Sequence, residues 1–145
     1  MIYIDSSSLL KALWMEPESP AVREAIASED RVVVSALTEL ETEVQLRGKW
    51  LGGAVTKARY ESYRAALMSF RETRPFDFHD LSGSVFRLAI RQLVSGSKRH
   101  CRSLDRLHLA AMEELGQRRL LTNDAKQAAA AALYGAVKKI AKSRD

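Results

Sequence analysis

The chain has 145 residues, 46% apolar and 28% charged, with 23 Lys+Arg against 18 Asp+Glu for a formal charge of +5. This length predicts one domain spanning residues 1–145, and the apolar share argues against disorder. The lone Cys101 excludes an internal disulfide, no apolar run approaches the roughly 20 residues that span a bilayer, and MIYIDSSSLL lacks the basic start of a secretion signal, so a soluble cytoplasmic domain is expected.

Met1–Ile4 is a short run of β-formers and predicts a buried strand ending at Asp5. Ser6–Ser8 supplies capping chemistry for a helix carrying Leu9, Leu10, Leu13 and Trp14 at helical spacing. Pro17 and Pro20 bracket a break, and a second helix is expected from about Ala21 to Ser28. The β-branched run Val32-Val33-Val34 predicts a second buried strand within Arg31–Ser35. Ala36–Arg47 resumes the helical period and is expected to stop at Gly48, and a long polar helix is expected from Val55 to Glu72. Phe76–Phe78 predicts an edge strand, and Asp80 is placed to cap a helix reaching about Val94. Ser95–Arg102 reads as a basic loop, Ser103–Leu115 as a helix, Arg118–Thr122 as a strand, Asp124–Leu133 as an alanine-rich helix closed by Gly135, and Ala136–Ala141 as a last strand. Short apolar strands alternating with helices predict a parallel sheet covered on both faces, with ligands bound beyond the carboxyl ends of its strands.

Four acids stand out against that frame. Asp5 and Asp124 both follow strands and would share one rim of the sheet, although helix capping explains either one taken singly. In the third helix, at about 100° per residue, Leu37, Leu40 and Val44 are expected to form the buried stripe, with Glu41 on its border and Glu39 and Glu43 solvated. Asp105 lies on a helix that is apolar round most of its circumference, with Arg106, Glu113 and Gln117 on the polar face. A carboxylate there is costly unless it is paired, protonated or bound to a cation. If the four converge, a divalent cation is the natural compensation, and an all-oxygen set suits Mg²⁺ or Mn²⁺ rather than zinc. Such ions support phosphodiester hydrolysis.

The segments Ile-Tyr-Ile-Asp5-Ser-Ser7, Ser35-Ala-Leu-Thr-Glu-Leu-Glu41, Leu104-Asp105-Arg-Leu-His108-Leu-Ala and Thr122-Asn-Asp124 resemble, in order and spacing, those of the PIN-domain ribonucleases. The likeness is to the VapC-type toxins of bacterial toxin–antitoxin pairs and runs from Met1 to about Gly135. It implies a three-layer α/β/α sandwich around a mostly parallel sheet, Mg²⁺-dependent RNA cleavage, inhibition by a small antitoxin, and a homodimer. It also implies that Asp5 and Asp105 are direct metal ligands, that Glu41 and Asp124 complete the site or orient water, and that the hydroxyls of Ser7 and Thr122 support it. Asn123 departs from the aromatic residue frequent there in the family.

His108 lies within the Asp105 motif but points with Leu104, Ala111 and Leu115, which favours a packed, hydrogen-bonded histidine. Trp14 and Trp50 are expected in the core. The cations Lys98, Arg99 and Arg102, with Arg106 beside them, are placed either to hold RNA phosphates or to be solvated, and the Lys138, Lys139, Lys142, Arg144 tail is expected to be solvated. A pI near 9.6 is compatible with a polyanionic partner. A phosphotransfer receiver would need a phosphoacceptor Asp after a middle strand and a Lys after a late one, and that pair is missing. A catalytically silent module that binds RNA or protein is the alternative, separated from an enzyme by metal-dependent loss of intact RNA.

Overall fold

The computed structural model describes residues 1–95 and 100–132 with their side chains, and residues 136–139 as backbone. Five strands, β1 (Ile2–Ile4), β2 (Val32–Ser35), β3 (Phe76–His79), β4 (Arg119–Thr122) and β5 (Ala136–Lys139), form one sheet in the order β3-β2-β1-β4-β5. Every neighbouring pair is parallel, so all five carboxyl ends emerge on one rim.

The helices are α1 (Ser6–Leu13), α2 (Ser19–Ala27), α3 (Ala36–Leu51), α4 (Lys57–Ser69), α5 (Ser84–Ser95), α6 (Ser103–Glu114) and α7 (Ala125–Ala131), with a 3₁₀ turn at Phe70–Glu72. Side chains alternate across a strand, and the two faces are filled separately. Ile2, Ile4, Val32, Val34 and Leu121 pack with Leu9, Leu13, Val22, Leu46 and Leu67 from α1–α4. Tyr3, Val33 and Leu120 pack with Val85, Leu109, Ala110 and Ala130 from α5–α7. The result is a three-layer α/β/α sandwich in which the central strands are apolar throughout because both faces are covered. Trp14 is buried and Trp50 packs against the first of these cores. Among the described residues no helix is long and apolar enough to cross a membrane.

Several boundaries and faces differ from expectation, each for a physical reason. The second helix begins at Ser19 and takes Pro20 into its first turn, where a missing N–H costs nothing. The third passes through Gly48, whose surroundings are open, and ends at Gly52-Gly53, where Gly53 adopts φ +79°. The fourth starts after the Thr56 cap and tightens into the 3₁₀ turn at Phe70. Asp80 caps nothing: α5 starts four residues later, after a turn at Ser82 and Gly83.

The buried stripe of α3 is Thr38, Thr42 and Leu46, while Leu40 and Val44 are 61% and 62% exposed. The two threonines can be buried because each hydroxyl is satisfied within the fold: Thr38 Oγ1 donates to the Ile4 carbonyl at 3.0 Å and Thr42 Oγ1 to the Thr38 carbonyl at 2.7 Å. Glu39 and Glu43 are not simply solvated, since they pair with Arg71 and Arg64 at 2.6 and 2.7 Å. On α6 the fully buried Ala110 and Ala111 bring the helix onto the sheet, and Arg106, expected on the polar face, is 8% exposed. Of the basic loop, Lys98 and Arg99 lie outside the described residues, as do the closing turn at Leu133 and Gly135 and the side chains of Lys138, Lys139, Lys142 and Arg144.

Candidate active site

The rim formed by the ends of β1 and β4 gathers most of the residues singled out by the sequence. Asp5 leaves β1 and is 4% exposed. Its carboxylate caps α1, with Oδ1 accepting the Ser8 N–H at 3.1 Å and the Ser7 hydroxyl at 2.7 Å. The Thr122 hydroxyl, at the end of β4, donates to Oδ2. Three donors converge on this buried group and offset part of its desolvation. Burial still raises the Asp5 carboxyl above its ordinary value, against the lowering effects of Thr122, Ser7 and the nearby His108.

Ser7 and Thr122 also fix the next segment. Ser7 Oγ accepts the Asn123 N–H, and Thr122 Oγ1 accepts the Asp124 N–H, both at 2.9 Å. Asp124 then caps α7, its Oδ1 accepting from Lys126 N at 2.7 Å and Gln127 N at 3.2 Å. The capping role open to Asp124 is therefore real, and it occupies one oxygen only. Asp124 is exposed, and its Oδ2 makes no hydrogen bond among the described residues.

Glu41, on the second turn of α3, reaches the same end of the sheet from the other side of β1. Its Oε1 accepts from His108 Nε2, the glutamate being 21% and the histidine 4% exposed. The other ring nitrogen, Nδ1, lies 2.7 Å from the Tyr3 hydroxyl, which lies 2.7 Å from Ser35 Oγ. Burial pushes the Tyr3 phenol far above its ordinary value, and Asp5 and Glu41 add to the rise. His108 is thus packed and hydrogen-bonded as expected, but its partner is one of the four acids. The sequence reading missed Tyr3. A phenol in the middle of a strand buried on both faces must find a partner for its hydroxyl, and that signal was present.

Asp105 sits in the first turn of α6, half-buried. Its backbone carbonyl accepts from Gln127 Nε2 of α7 at 3.3 Å, which sets it beside the Asp124 cap, while its carboxylate makes no hydrogen bond or ion pair among the described residues. Arg102 precedes this helix and is exposed. As the side chains stand, no group of three His, Cys, Asp or Glu residues among those described is gathered closely enough to hold a metal ion. The donor chemistry is nevertheless all oxygen, and the Asp105 carboxylate, Asp124 Oδ2 and Glu41 Oε2 make no hydrogen bond among the described residues.

A family model described as the PIN domain matches residues 2–133. Solved structures with the same fold include the sarcin–ricin-loop-cleaving toxin VapC20 of Mycobacterium tuberculosis, with a TM-score of 0.70 at 18% identity over 90% of this chain and 95% of that one. VapBC2 from Rickettsia felis, bound to a DNA fragment from its promoter, gives 0.64 at 16% identity over 96% and 98%. A toxin–antitoxin complex from Klebsiella pneumoniae gives 0.63 at 16% identity over 89% and 91%. No relative matches among curated protein sequences.

Proposed function

The chain belongs to the PIN-domain family, and from that membership and the carboxylate rim we propose that it is a metal-dependent endoribonuclease, the toxin of a toxin–antitoxin pair acting in the cytoplasm. The observation that carries this reading is a buried carboxylate, Asp5, held by three donors on a rim whose Asp124-capped helix α7 also meets Asp105, a half-buried acid whose carboxylate has no partner among the described residues. Fixing one acid while leaving another uncommitted suits a cation site better than a structural one.

Mg²⁺, with Mn²⁺ as a substitute, fits the donor set in kind, since hard oxygen ligands without sulfur favour those ions. Asp5 and Asp105 would hold the ion directly, and Glu41 and Asp124 would complete the site or orient the attacking water. When bound, the ion lowers the pKa of water and stabilises charge on the phosphoryl group. The protein's own work is positional. Ser7 and Thr122 aim Asp5 and favour its ionised form, the α7 cap holds Asp124, and the α6 amino terminus, with Arg102 just before it, supplies positive potential for an RNA phosphate near Asp105.

Two partners follow. The Klebsiella and Rickettsia neighbours are toxin–antitoxin assemblies, which supports a small antitoxin as the inhibitor here. A second copy of the chain is the other proposed partner, and the outer face of α5 supports it, since Phe86, Ile90, Leu93 and Val94 stand exposed there while Val85 and Ala89 pack inward.

The test is incubation of the purified protein with end-labelled RNA in Mg²⁺, Mn²⁺ or a chelator. Cleavage is expected with either ion, lost in chelator, and abolished in Asp5→Asn and Asp105→Asn variants that keep the wild-type circular dichroism. Full activity in either variant overturns the proposal. RNA binding without cleavage in both ions would favour a silent binding module.

A further inference from the structure

The contacts around Tyr3 and His108 can be assigned proton by proton. The Glu41 carboxylate only accepts, so His108 Nε2 carries a hydrogen. The Thr38 hydroxyl has one proton and three acceptors within reach, the Ile4 carbonyl at 3.0 Å and the Tyr3 and Ser35 hydroxyl oxygens, each at 3.3 Å, and the closer carbonyl takes it. In a neutral ring Nδ1 is then an acceptor, and the Tyr3 hydroxyl donates to it at 2.7 Å. Ser35 Oγ, which already accepts the Thr38 N–H at 3.2 Å, donates its own proton to the Tyr3 oxygen at 2.7 Å. Every proton is used once, and all point the same way: Ser35 to Tyr3, Tyr3 to His108, His108 to Glu41.

We propose that His108 is a positioning residue for Glu41, its ring held in place at Nδ1 by the Tyr3 hydroxyl so that the Nε2–H grips Glu41 Oε1 and leaves Oε2 for the cation. The inference rests on the nuclease reading above. The anchor of the chain is β1, which carries Tyr3 two residues before Asp5. One rigid strand therefore sets the place of both acids, Asp5 directly and Glu41 through a ring supplied by a helix 105 residues further on. Partners of this kind, hydrogen-bonded to a ligating group rather than to the ion, typically change metal affinity by about 10–100-fold when removed.

The test has a metal-free arm and a metal arm. In the metal-free protein, imidazole ¹⁵N shifts should report His108 as the Nε2–H tautomer, and Glu41→Leu, which removes the acceptor facing Nε2, should release that preference while the chain stays folded. An Nδ1–H or doubly protonated ring overturns the inference. With Mn²⁺ alone as the probe, calorimetry should show His108→Leu binding about 10–100-fold more weakly. His108→Gln, whose amide can donate from near the Nε2 position, should recover most of the loss, which a purely packing role would not explain. If His108→Leu does not fold, Tyr3→Phe decides: unchanged Mn²⁺ affinity there overturns the proposal. Wild-type protein that binds no Mn²⁺ overturns the nuclease reading and this role together. Wild-type protein that binds Mn²⁺ and cuts RNA, matched by folded His108→Leu, overturns this role alone.

Discussion

The same chemical change at two fully buried threonines should have unequal effects, because only one of them donates to a carboxylate. Thr122 and Thr42 are both 0% exposed. Thr42 Oγ1 donates to a neutral carbonyl that belongs to its own helix, so Thr42→Val should cost about 0.5–1.5 kcal/mol. Thr122 Oγ1 donates to buried Asp5 and accepts the Asp124 N–H. Removing a bond to a charged group costs about 1.5–3 kcal/mol, and the orphaned N–H adds to it, so Thr122→Val should cost about 2–4 kcal/mol at neutral pH. In a chain of this size each kcal/mol lowers Tm by roughly 2–4 °C.

The sign with pH follows from Asp5. Its folded pKa is raised by burial, so the residue is least costly to the fold in acid, and its cost grows as pH rises to that elevated value. Thr122→Val removes a bond that favours the ionised form and raises the value further. The penalty should therefore be largest at neutral pH and shrink in mild acid, whereas that of Thr42→Val should stay flat. Urea unfolding of both variants in chelator, at neutral and mildly acidic pH, measures this. Equal penalties at neutral pH, or a gap that does not narrow in acid, would refute the account of how Asp5 is held.

Other outcomes follow from other parts of the molecule. Glu29 accepts from Arg119 at 2.8 and 2.7 Å and from the amino terminus at 3.0 Å, and the Arg119 guanidinium foremost holds its carboxyl below the usual range. That stability is present above the unfolded pKa and lost as pH falls through the depressed one, so acid-unfolding curves of Glu29→Gln and wild type should differ at neutral pH and converge in acid. Leu109, 1% exposed against the sheet, should cost about 2–5 kcal/mol as alanine in chemical denaturation. Ile90→Glu, on the exposed face of α5, should leave stability within about 0.5 kcal/mol yet shift sedimentation from dimer to monomer; a wild-type monomer rules out the proposed second copy.

Much of the fold was legible because its signals are local. Val32-Val33-Val34 could only be a strand covered on both sides, and acids placed just after strands had to share a rim once the sheet was parallel. What escaped was non-local or internally satisfied. Leu40 and Val44 looked like the core side of α3, but Thr38 and Thr42 are buried there because their hydroxyls find carbonyls that no periodicity reveals. Gly48 looked like a stop, yet open space round it lets the helix run on to a glycine that adopts positive φ. The contact of His108 with Tyr3 and Glu41 joins three distant segments, and only the folded chain brings them together.

The strand order has a consequence for how inactive variants should be interpreted. From β1 the chain moves outward through β2 to β3, then returns to place β4 on the opposite side of β1. The helix leaving β1 packs on one face of the sheet and the helix leaving β4 on the other, so the two diverge and a crevice opens between them, a topological switch point. That opening is made by connectivity and exists whatever side chains line it. Exchanging Asp5 for asparagine removes a charge without closing the crevice, and a silent Asp5→Asn protein therefore reports on chemistry rather than on access.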